Sequence, residues 1–297
     1  VQNNITVFHH NDPDGYCAKF WFHFFHFMEP YCAKVVNVSY FEYAYGSIEN
    51  IELIKDNTVY FLDCSPANIA DVESLKAQGN KIIIIDHHAT AYDRYKEDSE
   101  IELYYDVKHS GCELTRLYFQ NKYTDGEALY PTLFSKLIED WDIWKFELDN
   151  TEEFIFGLQS QDIKDMKVWE ELLYEGTDEI SKYISIGKHL IAFRKNMAEI
   201  IIKNTGQEIY FHGFSCYAIN NCLPSSKWFL DKAKEYDCIL NWAIQSDGKV
   251  KISLYSEFPE KVQAGKLLEK YYGGGGHAGA AGAIIERDRF FKNIFGW

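Results

Sequence analysis

Three things are scarce in this sequence of 297 residues. No stretch approaches the roughly 20 uninterrupted apolar residues of a membrane-spanning helix. The most aromatic run, Phe20–Met28, is short and is broken by His23 and His26. No Cys-x-x-Cys pair occurs: the seven cysteines, at positions 17, 32, 64, 112, 216, 222 and 238, form an odd set that argues against a disulfide framework or a zinc ribbon and for reduced thiols. Positive charge is short too. Lys and Arg number 30 against 45 Asp and Glu, a formal charge of −15, so the broad basic footprint that drives binding to duplex nucleic acid is missing. No secretory signal is visible. The expectation is a cytoplasmic protein with neither a membrane nor a long duplex as partner. What is present, 46% hydrophobic and 16% aromatic residues, suffices for two domains with real cores.

Short runs rich in Val, Ile and Phe alternate with longer helical patterns, which predicts an α/β fold whose parallel strands are joined by helical crossovers. Strands are expected over Ile5–Phe8, Val35–Tyr40, Thr58–Leu62, Lys81–Ile85 and Ile101–Asp106. Helices are expected over Tyr16–Met28, Pro66–Gln78, Gly111–Gln120, Thr132–Glu139, Thr151–Leu172 and, with apolar residues at helical spacing, Thr177–Asn204. After Asn204-Thr205-Gly206 the texture becomes that of a smaller mixed sheet. Its strands would be Glu208–Phe211, Ser215–Asn220, Cys238–Gln245, Lys249–Tyr255 and Ala280–Ile285, its helices Pro224–Glu235 and Glu260–Tyr271, with a tight hairpin at Asp247-Gly248.

The strand ends carry the chemistry. Lys81–Ile85 runs straight into Asp86-His87-His88, an earlier strand into His10-Asn11-Asp12-Pro13-Asp14-Gly15, and a third into Asp63. In an open parallel sheet, ligands gather beyond the carboxyl ends of the strands. Asn-Asp-Pro-Asp-Gly alone reads as a turn, Asp63 alone as a helix cap, and His87 and His88 alone as ordinary loop histidines. Together with an aspartate from Asp140-Trp141-Asp142 they form a set that would repel itself without cations. Carboxylates and imidazoles without thiolates suit Mn²⁺ first, then Mg²⁺, Co²⁺ or Fe²⁺, and two ions could share the set. Gly273–Gly276 followed by His277 suggests backbone amides turned into one anion-binding concavity.

These residues resemble the DHH phosphoesterases that carry a DHHA1 domain. His10-x-Asp12-x-Asp14-Gly15 is similar to the first motif of the family, Asp63 to the second, Asp86-His87-His88 to the third and Asp140 to the fourth. Gly274-Gly275-Gly276-His277-x-x-Ala280-Ala281-Gly282 is similar to the DHHA1 signature. Size, a short first-motif loop and the aromatic Asp-x-Asp-x-Trp segment look most like the bacterial oligoribonuclease (nanoRNase) branch. The resemblance implies a catalytic DHH domain over residues 1–185, a helical linker over 186–205 and a DHHA1 substrate-binding domain over 206–297.

It also implies one cation held by His10, Asp12 and Asp63 and another by Asp14, Asp63, His87 and Asp140, with Asp63 bridging. Asp86 would orient a histidine and His88 face the phosphate. Many members place the first-motif histidine farther upstream, so either a shorter loop brings in His10 or His9 contributes. Between Asp140 and Asp142, the former fits the family position better. Where members often carry Ser-x-Arg-Ser, this chain reads Ser253-Leu254-Tyr255-Ser256, and Tyr255 is expected to stack on a base beside phosphate contacts from Gly274, Gly275, Gly276 and His277.

The implied activity is metal-dependent hydrolysis of short single-stranded oligoribonucleotides or dinucleotides to nucleoside 5′-monophosphates, with a homodimer admitted. The alternatives are a phosphatase of 3′,5′-bisphosphonucleotides, a phosphodiesterase of linear or cyclic dinucleotides, and a nucleotide-sensing module without catalysis.

Overall fold

The computed structural model describes residues 4–28, 37–43, 48–124, 133–222, 229, 232 and 234–296. The chain divides into two compact units, Val1–Leu190 and Ile191–Trp297. The dividing point lies inside one continuous helix, of which residues 186–205 form the later turns. Among the described residues no helix is long and apolar enough to cross a membrane.

The first unit is built on five parallel strands: β1 (Asn4–His9), β2 (Asn37–Glu42), β3 (Thr58–Leu62), β4 (Lys81–Asp86) and β5 (Ile101–Tyr105). Their order in the sheet is β2-β1-β3-β4-β5. A parallel sheet covered on both faces needs apolar residues of both parities, and the four isoleucines of β4 show the division. Ile83 and Ile85 join Val7, Tyr60 and Leu62 in the core beneath Phe20, Trp21, Phe22 and Phe119. Ile82 and Ile84 join Phe8, Val59 and Phe61 in the opposite core, with Val72, Leu75 and Tyr95. The chain leaves β1 toward β2 on one side and returns to β3 on the other, so the crevice beyond the carboxyl ends of β1 and β3 is the topological switch point where such sheets bind ligands.

The helices of this unit are α1 (Pro13–His23), α2 (Ile69–Ala77), α3 (Ala89–Tyr95), α4 (Gly111–Tyr123), α5 (Leu133–Asp142), α6 (Thr151–Leu158), α7 (Met166–Tyr174) and α8 (Thr177–Thr205), the last continuing into the second unit. Several differ from expectation. The first starts at Pro13, three residues early, because Asp12 caps it, and its final residues Phe24–Met28 continue as a π-helical turn. The helix expected from Pro66 starts at Ile69 because Asn68, not Asp63, supplies the cap. The expected stretch Thr151–Leu172 is two helices, since Asp165 caps a new start by accepting from the Lys167 amide at 3.0 Å. Helix α3 was not foreseen: its seven residues are too few to display a period. Val35 and Val36 of the expected second strand, Thr132, and most of the expected helix Pro224–Glu235 lie outside the described residues.

The second unit is a mixed six-stranded sheet, ordered β10-β11-β9-β8-β7-β6: β6 (Gln207–Phe211), β7 (Phe214–Asn220), β8 (Cys238–Ile244), β9 (Val250–Tyr255), β10 (Gly275–Gly276) and β11 (Ala280–Ile285). Of its five strand pairs, β7 with β8 runs parallel. Cys216, Leu240, Ile252 and Leu254 pack under α9 (Ala264–Tyr272) and α10 (Arg287–Phe290) through Leu268 and Phe290. The other face puts Ile219 and Ile239 against Ala198 of α8. An α/β fold of a parallel-sheet unit followed by a smaller mixed-sheet unit is thus present as the sequence predicts.

Candidate metal centre

Beyond β1 the chain turns sharply into α1, and Asp12 makes the turn. Its Oδ1 accepts the Gly15 amide at 2.9 Å, capping the helix, while its Oδ2 lies 2.7 Å from His10 Nδ1. That bond, opposed by burial, raises the His10 pKa. The neighbouring His9 goes the other way. Its ring is buried, donates from Nδ1 to the His10 carbonyl at 2.8 Å, packs edge-on to Tyr16, and is held down at about 4 by desolvation. His10, rather than His9, faces the acids.

Asp14, inside the first turn of α1, is fully buried and spends its carboxylate on the start of α4: Oδ2 accepts the Gly111 amide at 2.6 Å and Oδ1 the Cys112 amide at 3.0 Å. A helix N-terminus is where a buried anion is best stabilised. Gly111 is required there for a second reason. A Cβ on it would stand 2.3 Å from the Asp63 Cβ.

Asp63 follows β3 in the left-handed region at φ 57°, a conformation that Asp tolerates better than most residues. Its carboxylate is buried between the other two groups: Oδ2 is 3.8 Å from His10 Nδ1 and Oδ1 is 3.3 Å from His87 Nε2. His87 Nε2 is also 3.2 Å from Asp142 Oδ2, at the end of α5. Yet Asp63 Oδ1 and His87 Nε2 have no hydrogen-bond partner among the described residues, and neither has Asp86 Oδ2. Buried polar atoms without partners are uncommon and call for an explanation. Burial, then Asp14 and the neighbouring carboxylates, raises the Asp63 pKa well above its ordinary value, and the same causes push Asp142 up to about 9. Burial lowers His87, favouring the neutral imidazole that ligates metals.

Donor atoms within 4.8 Å of one another fall into three groups: His10, Asp12 and Asp63; Asp14, His87 and Asp142; Asp63, Asp86, His87 and His88. Orphaned oxygens, a half-buried imidazole whose pKa desolvation lowers, and mutually repelling carboxylates form a donor set that fits divalent cations. Asp86 stands behind it. Its Oδ1 accepts the His88 amide at 3.1 Å and His88 Nδ1 at 2.7 Å, which fixes the ring and raises the His88 pKa.

Asp140 does not join the cluster; Asp142 takes the place assigned to it from sequence. Two residues along a helix project about 200° apart, so both cannot face one site. Asp140 is buried beneath the segment that follows α5, where Oδ1 accepts the Glu147 amide at 2.7 Å and Oδ2 accepts the Leu148 amide at 3.3 Å and the Thr151 hydroxyl. No spacing in the sequence announces that return loop.

In the second unit the glycine run differs from the expected amide concavity. Gly273 adopts φ 66° and caps α9, its amide donating to Glu269 O at 3.2 Å, while the Gly274 amide donates to Leu268 O at 3.2 Å. Gly275 and Gly276 form the short edge strand β10 against β11, and the His277 amide closes the turn onto Ala280 O at 2.8 Å. The amides of Gly273, Gly274 and His277 are therefore spent on the fold. The His277 side chain is exposed, and Tyr255 sits half-buried at the end of β9 opposite Ala280.

The raised carboxyls link metal affinity to pH. A folded-state pKa of about 9 for Asp142, against an ordinary 3.8, means that the folded protein holds a proton the unfolded chain has lost, so the stability this group contributes is lost as pH rises from about 4 through 9. Cations require the ionised ligands and reverse the loss. Scanning calorimetry should show Mn²⁺ raising the melting temperature more at pH 8 than at pH 6. A shift independent of pH would contradict the placement of Asp63 and Asp142.

Comparison with known proteins bears on the fold that carries this site. The family model described as "DHH family, N-terminal domain" matches residues 4–138. An uncharacterized protein of Acanthamoeba polyphaga mimivirus is 24% identical over 301 residues, spanning 95% of this chain and 67% of the relative. Among solved structures, the pGpG-specific phosphodiesterase PggH from Vibrio cholerae is similar at 12% identity, covering 97% of this chain and 94% of the other with a TM-score of 0.54. RecJ from Thermus thermophilus in complex with Mn²⁺ is similar at 14% identity, covering 97% of this chain and 50% of the other, with a TM-score of 0.52. Residues 4–138 of this chain thus match the N-terminal domain of the DHH family, and the solved structures similar to it include DHH-family phosphoesterases.

Proposed function

We propose that the protein is a metal-dependent phosphodiesterase that hydrolyses short oligoribonucleotides to nucleoside 5′-monophosphates with the help of two divalent cations. The observation that carries this reading is Asp63, a buried carboxylate with an orphaned oxygen standing between the His10–Asp12 pair and His87. His10, Asp12 and Asp63 would hold one cation; Asp14, Asp63, His87 and Asp142 would hold the other. Such a pair, when bound, lowers the pKa of an attacking water and neutralises charge on the departing oxygen. Mn²⁺ suits the mixed oxygen and imidazole donors and is the ion bound by the similar RecJ.

The chain's own residues would do the rest. Asp86 accepts from His88 Nδ1 and fixes the ring, and the raised pKa of His88 favours the donor form that would meet a phosphate oxygen. The α4 N-terminus holds the Asp14 carboxylate in place through the Gly111 and Cys112 amides. Within the second unit, Tyr255 and the exposed His277, with Gly275 and Gly276, are the residues that the resemblance would assign to nucleotide binding. The charge of −15 disfavours long polyanions, and the pGpG specificity of the similar PggH supports a dinucleotide-sized substrate.

The test is mass-spectrometric product analysis on RNA of two to about ten nucleotides, labelled at one end, with Mn²⁺ or chelator. Nucleoside 5′-monophosphates should form in Mn²⁺ only, fastest from the shortest chains. Binding without cleavage in excess Mn²⁺ would instead favour a nucleotide-sensing module.

A further inference from the structure

Glu139 lies outside the three donor groups, and its bonds run to the loops that lead into α4 and out of α5. Its side chain is only 13% exposed. Oε2 accepts His109 Nδ1 at 2.9 Å and the Ser110 amide at 3.4 Å, while Oε1 accepts Lys145 Nζ at 2.9 Å. Lys145 Nζ also donates to the Lys108 carbonyl at 3.2 Å. Glu139 and Lys145 thus grip Lys108, His109 and Ser110 together, at the point where the chain passes from β5 into α4.

The residues that follow carry the consequence. The Ser110 side chain does not cap α4; its hydroxyl lies 3.4 Å from Cys112 Sγ. The Gly111 and Cys112 amides are taken instead by Asp14, and Gly111 packs so close to Asp63 that no Cβ fits. The backbone that Glu139 holds therefore runs directly into the backbone that orients Asp14 and lies against Asp63, both members of the donor groups.

Lys145 reaches Glu139 by a strained route. Trp144 and Phe146, on either side of it, are both left-handed at φ 62° and 51°, a conformation that bulky residues keep only when their surroundings over-determine it. Here the Lys145 and Phe146 amides both donate to the Asp140 carbonyl, at 2.9 and 3.3 Å, and the ammonium is fixed at Glu139 and Lys108. Glu139 and Asp142 are three residues apart, hence neighbours on one face of α5. One joins the donor groups; the other braces the loop that leads to the amides on Asp14.

We infer that Glu139 is a positioning residue for Asp14: it fixes residues 108–110 so that the Gly111 and Cys112 amides hold the Asp14 carboxylate in the orientation that a cation at Asp14, His87 and Asp142 requires. The inference rests on the metal-dependent reading of the cluster and on nothing about the substrate. An acid that merely steadied two loops could be replaced without effect on the cation. An acid that sets the orientation of a ligand cannot, because residues that orient metal ligands govern affinity by about 10–100-fold.

Isothermal titration of the metal-free protein with Mn²⁺ reads this without hydrolysis. Glu139→Ala should weaken Mn²⁺ binding about tenfold or more, and Glu139→Gln, whose amide oxygen can still accept His109 and Ser110, should recover most of it. Asp165→Ala, which removes the cap of α7, controls for lost stability and should bind Mn²⁺ as the wild type does. If Glu139→Ala does not fold, His109→Ala and Lys145→Ala, each removing one partner of Glu139, should each weaken binding measurably. Wild-type affinity in Glu139→Ala, or in both partner variants, overturns the assignment, and so does a loss in Asp165→Ala equal to that in Glu139→Ala. Failure of the metal-dependent reading looks different: the wild type itself would bind no Mn²⁺, which ends this inference with it.

Discussion

Asp63→Asn should reduce turnover at least about a hundredfold while making the metal-free protein more heat-resistant at alkaline pH. The first expectation follows from the position of the carboxylate. Groups that merely orient a metal ligand are worth about 10–100-fold, and Asp63 is placed to be a ligand shared by two donor groups. The second follows from electrostatics. Asp63 is crowded by Asp14, Asp12, Asp142 and Asp86 in a desolvated pocket, and its pKa stands well above the ordinary value. Asparagine imitates the protonated acid and tolerates φ 57°. The gain in melting temperature should therefore be small near pH 5 and grow toward pH 9, as wild-type Asp63 is forced to ionise. Mn²⁺ should no longer give its full stabilisation. A variant with wild-type turnover, or one destabilised at every pH, would remove Asp63 from the centre of the site.

The second large effect separates the two aspartates of α5. Asp140→Ala leaves the Glu147 and Leu148 amides and the Thr151 hydroxyl without their acceptor. At roughly 1–3 kcal/mol for a buried group left unsatisfied, which applies fully to the Thr151 hydroxyl and less to the part-buried Glu147 and Leu148 amides, the loss should reach about 2 kcal/mol or more. That corresponds to a fall in melting temperature of about 4 °C or more in a unit of this size. Mn²⁺ should still raise the melting temperature of that variant. Asp142→Ala should do the reverse: the metal-free protein keeps or gains stability, because a buried carboxyl repelled by Asp14 and Asp12 is gone, and the Mn²⁺ shift shrinks. Calorimetry of both variants with chelator and with Mn²⁺ decides the matter. The opposite pattern would return Asp140 to the metal.

These two residues mark the limit of what could be read without coordinates. Both follow the same apolar helix, both are aspartates, and likeness to a motif favours Asp140. The choice depends on residues 143–151 folding back over α5, and that return is made by backbone amides, which any sequence possesses. The strain at Trp144 and Phe146 was equally invisible, since nothing in a residue's identity announces that its neighbours will force it left-handed. The glycine run misled for a related reason. Glycine permits an anion-binding loop, a helix cap and an edge strand alike, and here the cap of α9 and the strand β10 use it.

Elsewhere local chemistry was decisive. The runs ending at Leu62 and Asp86 carry apolar residues at successive positions, and a parallel sheet covered on both faces buries them together with the run ending at His9. A parallel sheet gathers its carboxyl ends on one edge, so His10, Asp12, Asp63, Asp86 and His87 were bound to meet once those strands were identified. Hydrophobic pattern and strand-end residues thus determined, by themselves, the fold class and most of the cluster, because both depend on short unbroken apolar runs and on their direction of travel. Only the tertiary structure decided which aspartate of α5 completes the cluster, that Asp14 is clamped by the start of α4, and that oxygens of Asp63 and Asp86 are left without partners. Those outcomes depend on which distant amides arrive first at each carboxylate, a contest settled by packing rather than by spacing.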